Sequence, residues 1–166
     1  MHENEFLAHE LMVWTRYMNE EGKSSYAIKS AYPYLYRRYE YLASTEIKCS
    51  NKAQATINNQ FVEKVDLRTL NWTSKLTLKA SGKKVHIRKY IVWEHYTTAY
   101  EFKAALNNMY INQSLSVDSI LALMAQQKMA WITKEENQRL NALGFRHQRL
   151  DPEEAYRKAC ISFIET

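Results

Sequence analysis

The sequence predicts an α+β fold that is predominantly helical: a helical body carrying one small antiparallel β-hairpin, with a third short strand at Trp131-Ile132. Three observations predict it. Glycine and proline number only three and two in 166 residues, which disfavours a turn-rich sandwich or barrel and any glycine-rich phosphate loop. Apolar residues recur at helical spacing through most of the chain. Only positions 74–93 alternate with period two, around Ser81-Gly82, as a hairpin requires.

Taken in order, residues 3–20 form an amphipathic helix. Leu7, Leu11, Trp14 and Met18 make its stripe, widened by Phe6, Val13 and Tyr17, and Glu3 and Glu5 suit its positive start. Gly22 stops it, and Ser24 or Ser25 caps a short helix to about Ser30. Pro33 suits the first turn of another, running to Ala43. The stretch from Ser44 to Asn59 is polar and is either a linker or a solvated helix. It sets the expected boundary between an N-terminal helical module, 1–45, and an α+β body, 46–166, unless the chain is a single domain. Gln60 to Leu70 resumes a helical pattern through Phe61, Val62, Val65 and Leu70.

The hairpin follows. Lys75 to Lys79 alternates, and Val85 to Trp93 alternates again, with Val85, Ile87, Ile91 and Trp93 on one face. The other face carries Lys75, Lys79, Lys84, His86, Arg88 and Tyr90. A helix then runs from Thr97 or Thr98 to about Tyr110. Ser116 caps the next, with Asp118 in its first turn. Thr133-Lys-Glu-Glu136 is a capping box that opens a helix closed by Gly144. Asp151-Pro152 opens the last, which carries Ala155, Tyr156, Ala159 and Cys160.

Composition bounds the function. The net charge is +5 and the pI about 9.1. From Leu67 to Trp93 there is no acid but seven bases: Arg68, Lys75, Lys79, Lys83, Lys84, Arg88 and Lys89. This segment holds more than the whole net charge and points to a polyanion partner. The two cysteines, Cys49 and Cys160, form neither a disulfide framework nor a zinc knuckle. Acids occupy the N-terminus where a signal peptide needs bases, and no apolar run approaches a membrane span. The expected location is therefore cytoplasmic, with no membrane contact.

The string from Phe6 to Leu42, FLAHELMVWTRYMNEEGKSSYAIKSAYPYLYRRYEYL, resembles the helical core-binding module of tyrosine recombinases: an apolar helix, a Gly-Ser turn, then an Ala-Ile…Tyr…Leu helix ending in aromatics. The resemblance implies a helical module that clasps DNA. The recombinase catalytic set is missing, since there is no HxxR motif and no C-terminal nucleophilic tyrosine in context.

Several constellations invite chemical readings. Glu46-Ile-Lys48 and Glu101-Phe-Lys103 have the Glu-x-Lys form of PD-(D/E)xK nucleases, in which two carboxylates hold Mg²⁺ and a lysine orients the attacking water. Glu94 is the upstream acid for the second copy. For the first, Glu40 is the only acid nearby. Arg88-x6-His95 fits the spacing of an acid–base pair in HEPN-type ribonucleases. Glu94-His95 could orient an imidazole, and His2 and His9 share one side of the first helix. Arg146 and Arg149 form a second basic spot, on a loop where Glu153 and Glu154 offer pairing partners. No GxGxxG, Walker A, GxSxG or HExxH motif occurs.

The expected function is a small basic nucleic-acid-binding or regulatory protein, of the kind carried by phages and mobile elements. Catalysis, a cofactor and a bound metal are not expected. Its contacts would be Lys75, Lys79, Lys83, Lys84, Arg88, Lys89 and Tyr90 of the hairpin, with Arg37, Arg38, Arg146 and Arg149. One alternative is a protein-interaction or inhibitor protein using its tyrosine-rich helices, six tyrosines falling between 26 and 41. Another is a Mg²⁺-dependent nuclease built on Glu46 and Lys48, or on Glu94, Glu101 and Lys103.

Overall fold

A computed structural model describes residues 3–20 and 46–165. The chain divides into two units, and the α+β class holds. The described part of the first unit comprises 3–20 and 99–127, and that of the second comprises 46–98 and 128–165. The helices expected at 24–30 and 33–43 lie outside the described residues, as does most of the recombinase-like string.

In the first unit α1 (Glu3–Glu20), α3 (Ala99–Ile111) and α4 (Val117–Ala125) share a core. Leu7, Ala8 and Leu11 of α1 meet Phe102 and Leu106 of α3, Leu115 of the connecting loop, and Ile120 and Met124 of α4. Ser116 caps α4 reciprocally with Ser119, which satisfies backbone donors that a helix start otherwise leaves bare. Phe6, Val13 and Tyr17 do not widen the buried stripe of α1 as expected. They lie exposed, because their i, i+7, i+11 spacing puts them on the side away from Leu7 and Leu11.

The second unit is built on a three-stranded sheet of order β1-β5-β4, from β1 (Glu46–Cys49), β4 (Ile91–His95) and β5 (Lys128–Thr133). β1 runs parallel to β5 and β4 antiparallel. On one face Cys49, Met129, Trp131, Ile91 and Trp93 pack with Ala53, Ile57 and Phe61 of, or just after, α2 (Asn51–Gln60). On the other, Ala130, Ile132 and Tyr96 pack with Leu140 of α5 (Lys134–Ala142), Tyr156 of α6 (Pro152–Lys158) and Ala159. The free edge of β1 is covered by the C-terminal segment, where Ile164 N donates to Cys49 O at 2.9 Å.

Both parallel strands run straight into helices. Ser50 caps α2 and Thr133 caps α5, and the buried Glu136 carboxylate joins them. It accepts from Ser50 Oγ at 2.7 Å and from Thr133 N at 2.8 Å. The capping box foreseen at Thr133 thus also ties two strands together.

The hairpin is real but shorter than expected. β2 (Lys75–Thr77) pairs antiparallel with β3 (Lys84–His86) through three residue pairs. The second arm then leaves the sheet: residues Ile87–Lys89 make a 3-10 turn, and β4 joins the other sheet. The third strand expected at Trp131-Ile132 is β5, but it pairs with β1 and β4 and not with the hairpin. What flanks the hairpin instead is 60–62. Phe61 bridges Leu78, and Val62 N donates to Thr77 O at 2.9 Å. The helix expected over 60–70 is therefore an extended strap with one 3-10 turn, Leu67–Thr69. The polar stretch after Ser44, expected as linker or solvated helix, holds β1 and α2.

Candidate functional site

The hairpin register fixes which way its side chains point. Lys75 pairs with His86 and Thr77 with Lys84, so these four share one face. Leu76 and Val85 share the other, where Leu76 is buried and Val85 packs against the core. Gly82, at φ +65°, closes the turn in a conformation that favours glycine. Lys75, Lys83, Lys84, Arg88 and Lys89 are all exposed. None of the five makes an ion pair among the described residues.

Two of the seven bases of this segment are engaged in holding the fold. Lys79 Nζ donates to Asn58 O at 2.9 Å and Asn59 O at 3.1 Å, and Lys64 Nζ also donates to Asn58 O. These are terminal carbonyls of α2, the negative end of its dipole. The Arg68 guanidinium clasps Asp66, its Nη2 2.8 Å from Oδ2, and holds that carboxyl below the usual carboxylate range.

The outer face also carries one acid. The Glu63 carboxylate accepts from Thr77 N at 2.8 Å and Thr77 Oγ1 at 2.7 Å. Those bonds hold it below the usual range, and Lys84 adds to the effect. Glu63 thereby anchors the strap to β2 and offsets part of the Lys84 charge.

Sequence reasoning missed Trp72. The Arg88 guanidinium lies over its ring, 4.6 Å from the centroid. Both partners are fixed locally. Asn71 Oδ1 accepts from Thr73 N, Thr73 Oγ1 and Ser74 Oγ, and Ile87 N donates to Ser74 O at 3.2 Å. The loop that presents Trp72 is thus tied to the turn that presents Arg88. The available signal was the Asn-Trp-Thr-Ser string, an Asx-turn sequence with an aromatic at its second position. Tyr90, expected on the solvent face, packs inward against Phe61 with ring centroids 5.1 Å apart, because the 3-10 turn breaks the strand alternation before it.

The second basic spot separates into unlike members. Arg146 is exposed, whereas Arg149 is buried with a side chain 0% exposed. Its Nη2 lies 2.5 Å from Glu94 Oε1, Nε donates to Phe145 O at 2.8 Å, Nη1 donates to Tyr156 Oη at 3.2 Å, and the same Nη1 donates to His95 O. Arg149 is an internal strut with no face left for a phosphate. The partners expected for this loop are taken elsewhere: Glu153 pairs with Lys48 at 3.0 Å and Glu154 with Arg157. Arg37 and Arg38 lie outside the described residues, as do the tyrosines between 26 and 41.

The first nuclease reading finds its residues paired elsewhere, and the second finds them divided between the two units. Glu46 pairs with Lys128 at 2.7 Å across β1 and β5. Lys48 lies over the rings of Tyr96 and Phe163, with Glu153 beside it. Glu94 belongs to the second unit, while Glu101 and Lys103 sit on α3 of the first. Among the described residues no three His, Cys, Asp or Glu side chains gather as a metal site would require. Arg88 lies over Trp72, His9 is exposed on α1, and His2 lies outside the described residues. No described helix is long and apolar enough to cross a membrane.

The chain matches no family model, no curated protein and no solved structure, so its site is read from its own geometry alone.

Proposed function

We propose that this protein binds nucleic acid through the outer face of the β2–β3 hairpin and the turn that follows it. The observation that carries the reading is the placement of Lys75, Lys83, Lys84, Arg88 and Lys89. All five are exposed, within one short ribbon and its adjoining turn, and none is neutralised by an ion pair among the described residues. Lysines so placed supply the sequence-independent attraction to phosphates that dominates nucleic-acid affinity. A rigid base helps, because the ribbon is held by the 60–62 strap and by Glu63 and need not be ordered on binding.

The test is a titration of a labelled 20-nucleotide strand with the wild-type protein and with a variant in which Lys75, Lys83, Lys84 and Lys89 are all glutamine. At low salt the variant binds at least about tenfold more weakly, while Lys52→Gln/Lys134→Gln, which removes exposed lysines elsewhere, changes little. Equal weakening by both variants would assign the binding to net charge and remove the hairpin from it.

A further inference from the structure

We infer that the partner is an unpaired strand, and that Arg88 is the surface on which one of its bases stacks. The inference rests on the nucleic-acid reading above and deepens it. A guanidinium that stacks on an indole places one planar face against the ring and leaves the other for a second planar group. Arg88 is exposed and sits 4.6 Å from the Trp72 centroid. Such a plane suits the face of a nucleobase, through stacking and the charge of the guanidinium.

Base faces are available only where bases are unpaired. In a duplex they are stacked on one another, and a protein meets their edges in the grooves. The ribbon has the dimensions for the first case. Three residues per strand span roughly 10 Å, enough to lie beside one or two phosphates but short for filling a major groove. Lys89 follows Arg88 directly, and Lys75 follows Ser74, whose carbonyl ties the Trp72 loop to the Arg88 turn. Backbone-contacting charges therefore flank the stacking plane on both sides in sequence. The Asn71 hydrogen bonds fix the Trp72 loop in advance, so little is lost in ordering the platform on binding.

The experiment compares a labelled 20-nucleotide strand with its duplex at one salt concentration, for the wild type, Arg88→Lys and Trp72→Leu. Arg88→Lys keeps the charge and loses the plane, and at an exposed site it leaves the fold intact, which a thermal melt verifies. The wild type is expected to prefer the strand by about tenfold or more. Both variants lose strand affinity by about 5- to 150-fold, the range that stacking one base is worth, while duplex affinity stays within about twofold. Equal wild-type affinity for strand and duplex, or undiminished strand affinity in Arg88→Lys, would overturn the inference and leave the phosphate contacts standing. Absence of binding to either probe would overturn both readings.

Discussion

Replacing Arg149 by methionine should be among the most damaging single changes in the second unit, although it lies on a loop. The guanidinium is fully enclosed and donates to Glu94, His95 O, Tyr156 and Phe145 O. Methionine fills much of the volume but leaves the Glu94 carboxylate facing an apolar group, takes the Arg149 donor from Phe145 O, and leaves His95 O to the Tyr156 hydroxyl at 3.4 Å. Breaking a buried pair from one side costs about 3–5 kcal/mol. The Glu94 side chain is 19% exposed, so water relieves part of that penalty and the lower end, about 3 kcal/mol, is expected. A domain has only about 5–15 kcal/mol in total. In urea, with a slope of about 1–3 kcal/mol/M, the midpoint falls by about 1–3 M. Tryptophan fluorescence reads this unit directly, since Trp72, Trp93 and Trp131 belong to it. Adding Glu94→Gln removes the orphaned charge, so the double variant should recover about 1–2 kcal/mol relative to Arg149→Met alone. A midpoint shift below about 0.3 M for Arg149→Met, or strictly additive losses in the double variant, would refute the strut.

Other outcomes follow from the same geometry. Lys79→Gln should lower the melting temperature, because it uncaps α2, yet leave nucleic-acid affinity within about twofold; a loss equal to that of Lys84→Gln would return Lys79 to the binding face. Burial pushes the Cys49 thiol up to about 12, whereas Cys160 is exposed. A thiol reagent at pH 8 should therefore titrate one cysteine in the native protein and the second only in denaturant, and fast reaction of both would contradict the packing. Among the described residues five carboxyls lie below their ordinary range: Asp66 through Arg68, Glu63 through Thr77, Glu135 through its own backbone N–H and then Thr133, Glu153 through Tyr96 and then Lys48, and Glu154 through Arg157. Depressed carboxylates favour the folded state above the unfolded pKa, about 4, and that contribution disappears as pH falls through the folded values. The urea midpoint should thus hold between pH 7 and 5 and drop below about pH 4, less steeply in Glu63→Gln.

Local signals in the sequence located most helix starts. Ser116, Thr133 with Glu136, and Asp151 with Pro152 all cap the helices expected of them, because a cap is a contact over three or four residues. Longer contacts were illegible. Glu46–Cys49 alternates charged and apolar residues, but four residues inside a polar stretch are too short a signal, and they form a strand through β5, some eighty residues on. The hairpin was overextended because Ile87 and Ile91 continue the apolar alternation. The 3-10 turn between them redirects the chain to a different sheet while still delivering both to the core. Arg149 reads as a surface loop residue, since its partner Glu94 is 55 positions away. At the candidate site, the lysines were legible from charge and alternation. The diversion of Lys79 to a helix end and the seating of Arg88 on Trp72 were not, because each depends on a loop packed against another element.

The central claim, that the hairpin face neutralises phosphates, is tested most directly by the salt dependence of strand binding. Each phosphate contact on a single strand contributes about −0.7 to the slope of log affinity against log salt. Changing Lys75, Lys83, Lys84 and Lys89 to glutamine should therefore make the slope shallower by about 3, while Lys52→Gln/Lys134→Gln leaves it unchanged. A slope identical in the wild type and the hairpin variant would contradict the account.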